Sequence, residues 1–275
     1  MALLEVRELS VVYRTPFGIV NALNDVTFNI DRGESLAVVG ESGSGKSTLA
    51  LAVSRLLPPN ARYVSGSIMF DGINILRLSS SEIRRIRGGT GIFMVFQEPA
   101  TSLNPVFKVK DQLMEAVRIR YEREGNTFDE SKAITEIMSV LRDVRIPDPE
   151  LIIERYPHQL SGGQIQRIMI AMGLLMRPKL YIADEPTSAL DVTVQAQILK
   201  LLRDLKREYG ISILFITHDI AVASIIGDSI MVLYAGQLME LGPTKSVIYE
   251  PRHPYTQALL SSIPKISKAE ASCQQ

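Results

Sequence analysis

A glycine-rich octapeptide constrains the fold of this chain more than any other segment. Residues 40–47 read Gly-Glu-Ser-Gly-Ser-Gly-Lys-Ser, between an apolar run at residues 36–39 and a stretch with helical spacing. Glycines between a strand and a helix let successive backbone N–H groups point inward and cradle phosphate oxygens at the helix N-terminus. The lysine supplies a positive charge to the outer phosphates, and the following serine supplies a hydroxyl for Mg²⁺. The segment therefore predicts a phosphate-binding loop rather than an ordinary turn.

The residues of this loop form the first set of predicted ligand-binding residues. They are Gly40, Glu41, Ser42, Gly43, Ser44, Gly45, Lys46, Ser47 and Thr48. A loop of this kind is compatible with kinases, GTPases and many ATPases, so the class has to be narrowed by other motifs.

Two adjacent carboxylates follow a second apolar run. Residues 180–183 read Leu-Tyr-Ile-Ala, and Asp184 and Glu185 come next. The run is typical of a buried parallel strand, which would present both carboxylates at its C-terminal edge. We expect Asp184 to hold the Mg²⁺ shell, directly or through water, and Glu185 to accept a proton from an attacking water. The alternative is that the pair caps the helix that follows Pro186.

Two further polar segments add to the candidate chemistry. His218 comes directly after the β-rich run of residues 211–217, so it should emerge at the same edge of the sheet. Residues 161–164 read Ser-Gly-Gly-Gln and are expected to begin a helix whose free amides and positive dipole end can bind an anion. The chain thus carries one phosphate cradle and a second anion site at another helix N-terminus.

Length and composition exclude several classes of protein. A chain of 275 residues with 46% hydrophobic content can bury the core of one large α/β domain with an elaboration. Thirty basic and thirty acidic residues cancel, so no overall field attracts nucleic acid, and the cluster Arg84, Arg85 and Arg87 is interpreted as a solvated face. Residues 1–12 lack the pattern of a secretory signal, and residues 211–235 are interrupted before they reach membrane-spanning length.

Residue spacing predicts the main elements. Residues 5–13 and 26–30 are expected to be strands, and residues 91–96 a strand that leads into Gln97. The helix after the phosphate loop is expected to run over residues 49–57 and to end at Pro58. Residues 108–145 predict an inserted helical subdomain, and residues 193–209 an amphipathic helix that stops at Gly210.

Together with the phosphate loop, the order and spacing of several motifs resemble the nucleotide-binding subunit of an ABC transporter over essentially the whole chain. These motifs are Tyr13, Gln97, Leu160 with Ser161, Gly162, Gly163 and Gln164, residues 180–185, residues 188–191 (Ser-Ala-Leu-Asp) and His218. The resemblance implies an α/β fold with a P-loop NTPase core, an antiparallel β subdomain and an inserted α-helical subdomain. It also implies ATP as the nucleotide and Mg²⁺ as the cofactor.

The resemblance further implies roles for individual residues. Tyr13 would stack on the adenine, Gln97 would link metal and water to the helical subdomain, and His218 would contact the γ-phosphate and orient the water. The implied catalytic residues are Glu185, His218, Gln97 and Lys46, and the implied metal ligands are Ser47, Gln97 and Asp184. Ser161, Gly162, Gly163 and Gln164 would close over ATP on a second subunit in a head-to-tail dimer, with Asp191 communicating across the interface. A lone subunit should therefore hydrolyse ATP poorly.

Other segments resemble the oligopeptide and dipeptide importer branch of this family. They are residues 97–99 (Gln-Glu-Pro), 102–105 (Ser-Leu-Asn-Pro) and 253–256 (His-Pro-Tyr-Thr). The implied division is an ATPase core at residues 1–97 and 177–235, a helical subdomain at 98–176 and a C-terminal extension at 236–275. The single cysteine, Cys273, excludes a four-cysteine iron–sulfur cluster within the chain. Gln-Ile-Gln-Arg at residues 164–167 departs from the form common in this branch and loosens the substrate assignment.

The sequence thus predicts an ATP-hydrolysing subunit that energises peptide uptake at the cytoplasmic face of a membrane. The implied partners are a second ATPase subunit, identical or related, two membrane permease subunits and, indirectly, an extracytoplasmic solute-binding protein. Nucleic acid is not an expected partner. Nickel or oligosaccharide uptake is an open alternative, and a soluble ABC ATPase outside transport is a further one.

Overall fold

The structure of the protein, a computed structural model, describes residues 2–88, 91–97, 102–188 and 190–262. Glu98, Pro99, Ala189 and Cys273, which figure in the sequence predictions, lie outside these ranges. In chain order the strands are β1 (Ala2–Thr15), β2 (Gly18–Asp31), β3 (Ser35–Val39), β4 (Ala61–Phe70), β5 (Ile73–Asn74), β6 (Ile92–Val95), β7 (Leu180–Asp184), β8 (Ser212–Thr217), β9 (Ser229–Tyr234) and β10 (Gln237–Pro243).

The helices are numbered in chain order in the same way. They are α1 (Lys46–Val53), α2 (Ser80–Ile86), α3 (Val109–Arg123), α4 (Glu130–Asp143), α5 (Pro149–Ile152), α6 (Gly162–Leu175), α7 (Val192–Tyr209), α8 (Ile220–Ile226), α9 (Thr244–Tyr249) and α10 (Pro254–Ser261). Helices α3, α4 and α6 pack against one another, as expected for a helical subdomain. No helix within the described ranges has the length and apolar character needed to cross a membrane.

A six-stranded sheet in the order β10-β9-β3-β8-β7-β6 positions the polar residues of interest. All its pairings are parallel except that of β10 with β9. Every residue of β3, β7 and β8 is buried, which explains why their sequences read as continuous apolar runs. The carboxyl ends of four strands therefore share one edge, which we call the C-terminal edge. There β3 leads into the phosphate loop, β6 towards Gln97, β7 into Glu185 and β8 into His218.

A second sheet in the order β2-β1-β4-β5 is antiparallel throughout. Its apolar side chains form a core together with the buried apolar residues of α1 and alternate residues of the parallel sheet, among them Leu36, Val38 and Leu180. The resemblance predicted an antiparallel β subdomain, and this sheet confirms it. The strands β1 and β2 extend beyond the predicted residues 5–13 and 26–30.

The predicted end of the first helix is wrong. Helix α1 stops at Val53 rather than at residue 57, because Arg55 adopts a left-handed conformation with φ of 55°. The N–H of Leu56 then donates to the carbonyl of Leu51, and that of Arg55 to Ala52, which together close a Schellman motif. Pro58 follows the helix but does not end it. The predicted stop of α7 at Gly210 is confirmed, with φ of 64°.

Candidate functional site

The phosphate loop is held in a tight turn by its neighbours. A Cβ on Gly40 would lie 2.1 Å from the carbonyl oxygen of Leu233, so only glycine fits at this position. The N–H of Gly236, in the turn between β9 and β10, donates to the carbonyl of Ser44 at 2.9 Å. This turn was not among the predicted site residues. Its sequence signal is Gly236 itself, since the observed φ of 78° favours glycine at this position.

Lys46 lies inside the loop with its side chain almost wholly buried. Its Nζ donates to the carbonyls of Gly40 and Glu41, both at 2.8 Å. Burial lowers the pKa of Lys46, and the charges of Glu185 and Asp184 oppose that shift. The ammonium therefore stands close to two carboxylates at the C-terminal edge, as a charge that phosphate oxygens can approach.

The predicted metal ligands are brought together in part. Ser47 Oγ donates to Asp184 Oδ1 at 3.1 Å, where α1 begins beside the end of β7. Burial raises the pKa of Asp184, while the hydrogen bond from Ser47 and the charge of Lys46 lower it. An adjacent hydroxyl and buried carboxylate are the hard oxygen donors that Mg²⁺ prefers, and the ion usually adds water and phosphate oxygens. The two side chains therefore fit Mg²⁺.

Gln97 lies with the catalytic candidates rather than with these oxygens. Its Nε2 donates to Glu185 Oε2 at 3.4 Å. Within the described ranges no hydrogen bond joins Gln97 to Ser47 or Asp184, and no group of three or more His, Cys, Asp and Glu side chains is placed to hold a metal. The assignment of Gln97 as a metal ligand thus stays a prediction.

Glu185 sits at a strained position directly after β7, where its N–H donates to the carbonyl of Ile216 on β8 at 3.0 Å. Its φ of 45° is left-handed, which for a residue other than glycine costs on the order of 1–3 kcal/mol and recurs at functional sites. His218 Nδ1 lies 3.1 Å from Glu185 Oε2; the His218 side chain is 60% exposed, and that of Glu185 is 15% exposed. The alternative role of the carboxylate pair as a helix cap is wrong, because Asp191 caps α7 by accepting the N–H of Val194 at 2.9 Å.

Tyr13 reaches the same region from the antiparallel sheet. It lies near the end of β1, half-buried, and its hydroxyl is 3.3 Å from Oγ1 of Thr48. This places the aromatic ring next to the last residue of the phosphate loop. A role in holding the base remains a prediction that this position favours.

The Ser-Gly-Gly-Gln segment begins α6, as predicted, but its polar groups stay within the segment. Ser161 Oγ accepts the N–H of Gln164 at 3.3 Å, and Gln164 Oε1 accepts the N–H of Ser161 at 2.9 Å, which is a capping box. Ser161 and Gly162 are exposed. In the described part of the chain no hydrogen bond joins this segment to the phosphate loop. Among the described residues, the two predicted anion sites therefore share no hydrogen bond.

His158 lies in the turn just before α6. Its ring stacks on that of Tyr156, with centroids 5.7 Å apart and an angle of 13° between the planes. This contact lies directly before the Ser-Gly-Gly-Gln segment.

Comparisons with known proteins agree with this geometry. Residues 23–188 match the family described as ABC transporter, and residues 239–274 match the oligopeptide/dipeptide transporter C-terminal region. The chain belongs to the ABC transporter family, and within it to the ATP-hydrolysing cassettes.

Individual proteins similar to this chain include transport ATP-binding proteins and a solved cassette structure. The oligopeptide transport ATP-binding protein OppD of Haemophilus influenzae is 46% identical over 268 residues, which cover 98% of this chain and 81% of that protein. The dipeptide transport ATP-binding protein DppD of Bacillus subtilis is 45% identical over 264 residues, covering 96% and 77%. Among solved structures, a dimeric post-hydrolysis state of the ATP-binding cassette MJ0796 bound to ADP and Pi has a TM-score of 0.77 at 29% identity, covering 88% of this chain and 98% of that one.

Proposed function

We propose that this chain is the ATP-binding and ATP-hydrolysing subunit of an importer that takes up peptides through separate membrane subunits. The observation that carries the proposal is the meeting of Lys46, Ser47, Asp184, Glu185 and His218 at one edge of the parallel sheet. This set combines a phosphate-binding cation, oxygen ligands for a metal and a carboxylate base.

Binding is assigned to the loop and its neighbours. The loop amides and Lys46 hold the phosphates, Tyr13 stacks on the adenine, and Ser47 and Asp184 offer oxygen ligands to Mg²⁺. When bound, Mg²⁺ supplies positive charge that stabilises the phosphate oxygens during transfer.

Proton transfer is assigned to Glu185. Oε2 of this carboxylate is engaged by His218 and Gln97, so the other oxygen, Oε1, is the one left to accept the proton of the attacking water. His218 keeps the carboxylate oriented and, being exposed, can also reach the γ-phosphate. Gln97 connects this centre to the segment that leads into the helical subdomain.

The exposure of Ser161 and Gly162 at the start of α6 supports a proposal for the assembly. We assign residues 1–97 and 177–235 to the ATPase core, 98–176 to the helical subdomain and 236–275 to the C-terminal extension. The chain pairs head to tail with an identical or related subunit, so that Ser161 and Gly162 of each face the nucleotide of the other. The pair rests on two permeases at the cytoplasmic face of the membrane, and a solute-binding protein delivers the substrate from the other side.

Peptides are favoured as the substrate over nickel or oligosaccharides. The match of residues 239–274 to the oligopeptide/dipeptide C-terminal region and the names of OppD and DppD support this choice. The test is the ATPase rate of the chain assembled with its permeases in proteoliposomes, with binding protein loaded with a peptide, with nickel or with an oligosaccharide. Stimulation by peptide is expected, and stimulation by nickel or oligosaccharide alone would contradict the proposal. Lys46→Ala is the inactive control.

A further inference from the structure

The His-Pro-Tyr-Thr segment, residues 253–256, has no role in the chemistry described above. It forms the start of α10, where His253 caps the helix by accepting the N–H of Tyr255 at 3.1 Å. The carboxylate of Glu240, on β10, accepts the backbone N–H groups of Arg252 at 2.9 Å and His253 at 3.1 Å. The segment is therefore fastened to the strand pair that adjoins the phosphate loop.

Tyr255 contacts the turn that holds the phosphate loop. Its ring packs on that of Tyr234, the last residue of β9, with centroids 4.5 Å apart and an angle of 44° between the planes. On one side of Tyr234 the carbonyl of Leu233 lies against Gly40, and on the other the N–H of Gly236 donates to Ser44. Tyr234 thus connects the Tyr255 ring to the residues that contact the phosphate loop.

The hydroxyl of Tyr255 also lies at the loop. The oxygen is buried and has no partner within hydrogen-bonding limits among the described residues, although the backbone N–H of Glu41 is close enough to influence it. Burial raises the pKa of Tyr255, and the Glu41 N–H opposes that rise. Buried hydroxyls usually find a partner, so an orphan facing a loop amide needs an explanation.

The backbone of Glu41 takes part in two of the hydrogen bonds that hold the loop. Its carbonyl accepts both the N–H of Ser44 at 3.2 Å and Nζ of Lys46 at 2.8 Å. A side chain that restrains Glu41 therefore also restrains the ammonium and the turn that follow it.

We infer that Tyr255 is a positioning residue for the phosphate loop, acting through the Tyr234 ring and the Glu41 peptide. It keeps the loop in the form that presents Lys46 and the loop amides to phosphate. The inference rests on the proposed binding of ATP. It also gives the C-terminal segment a direct mechanical connection to the nucleotide site, since displacement of α10 from β10 would remove the support.

The test compares nucleotide binding in tyrosine variants of the full chain. Calorimetric titration with Mg-ATP and steady-state kinetics are measured for Tyr255→Ala, Tyr255→Phe and the control Tyr249→Ala, whose side chain is 79% exposed on nearby α9. Tyr255→Ala is expected to weaken affinity about three- to tenfold, as for loss of an aromatic pair, with KM rising more than kcat falls. Tyr255→Phe keeps the ring contact with Tyr234 but removes the hydroxyl near Glu41, so its affinity should lie between those of wild type and Tyr255→Ala. Tyr249→Ala should bind like wild type.

A double substitution distinguishes support of the loop from general stabilisation. Tyr234→Ala should weaken ATP binding by no more than Tyr255→Ala does, and the double variant by no more than Tyr255→Ala alone, because the contact with Tyr234 is one of the two routes through which Tyr255 acts. Unchanged affinity in folded Tyr255→Ala, or additive losses in the double variant, would overturn the inference. If Tyr255→Ala does not fold, Tyr234→Ala, at a residue 46% exposed, decides in the same way. Failure of the wild type to bind Mg-ATP more tightly than Lys46→Ala would instead count against the proposed function.

Discussion

The C-terminal edge of the parallel sheet and the N-terminus of α6 both present groups that suit phosphate, but they differ in what those groups already contact. At the sheet edge, Ser47 bonds to Asp184, and His218 and Gln97 both approach Glu185, so side chains from distant parts of the sequence meet. At α6, Ser161 and Gln164 bond to each other across one turn of helix and face solvent.

This difference shows which region can work within one chain. The sheet edge brings together a cation, oxygen atoms that suit a metal and an exposed imidazole beside a carboxylate, whereas the start of α6 presents only backbone amides and the positive end of a helix dipole. In the head-to-tail pair proposed above, each exposed helix end would lie against the sheet edge of the other chain. The predictions below separate the two regions.

The largest effect is expected from Glu185→Gln. The amide keeps the shape of the side chain but cannot accept the proton, so turnover should fall by on the order of 10² to 10⁴ while ATP binding persists. Phosphate release and calorimetric titration with Mg-ATP measure the two properties. Size-exclusion chromatography with ATP should also show more dimer than for wild type.

The matched control is Glu154→Gln. Glu154 is exposed and pairs with Lys108 on the helical side of the molecule, so its loss should leave turnover unchanged. Phosphate release near the wild-type rate in Glu185→Gln would eliminate Glu185 as the base.

Substitution at the other region should separate binding from hydrolysis. Ser161→Arg puts a bulky cation where the opposing γ-phosphate would dock, and loss of such phosphate-facing groups is worth about 10²- to 10³-fold in rate. The affinity of the isolated chain for ATP should stay near that of wild type, because its own loop is untouched. Ser131→Arg, at the exposed start of α4, is the matched control and should retain activity. Full ATPase activity of Ser161→Arg in the assembled transporter would refute action of this segment on a partner's nucleotide.

Mixing two inactive variants sharpens the comparison where two copies of this chain pair. A dimer of Lys46→Ala with Ser161→Arg has one site with both lesions and one site with neither. Random pairing makes about half of the dimers mixed, so recovery of about a quarter of wild-type turnover is expected if one intact site suffices. Absence of recovery, with mixed dimers demonstrated by affinity capture of a tagged copy, would contradict the head-to-tail arrangement.

The sequence predicted four strands of the six-stranded sheet and the end of α7, but it did not predict β9 or β10 and it placed the end of α1 wrongly. Continuous apolar runs such as residues 180–183 have few alternatives to a buried strand, so Asp184 and Glu185 were correctly placed at its end. The end of α1 was harder to predict, because Arg55 occupies a left-handed position after that helix, as Arg145 and Arg177 do after α4 and α6. Each of these arginines bonds through its guanidinium to another element, respectively Ile75, Asp204 and Glu136. Such tertiary contacts offset the local strain and leave no local sequence signal.

The contacts that hold the phosphate loop could not be predicted either, because they too are tertiary contacts without a local sequence signal. The glycine pattern predicts the turn of the loop. The contact of Gly40 with Leu233 and the hydrogen bond from Gly236 to Ser44, however, join segments that are far apart in the sequence. Only the sheet order, which places β9 beside β3, brings them together.

The smallest effect is expected from a substitution at the opposite edge of the same sheet, where β3 and β9 begin. Asp228 accepts the N–H of Ser35 at 2.8 Å and its hydroxyl at 2.9 Å, and it pairs with the nearly buried Lys206. Partial burial raises the pKa of Asp228, but these donors outweigh it, so the pKa lies below its ordinary value. A depressed folded-state pKa gives stability that is present above the unfolded value, about 3.9, and is lost as pH falls through the folded one.

Asp228→Asn should therefore lower the free energy of unfolding by about 1 kcal/mol at neutral pH, since Asp228 is about half exposed, and the difference from wild type should shrink below about pH 4. Urea unfolding across pH measures this, with Asp204→Asn, in an exposed pair with Arg145, as a control expected to change less. A constant difference in unfolding free energy down to pH 2 would contradict the lowered pKa of Asp228. A matching loss of ATP affinity at neutral pH would show that the two edges of the sheet do not have the separate roles assigned to them.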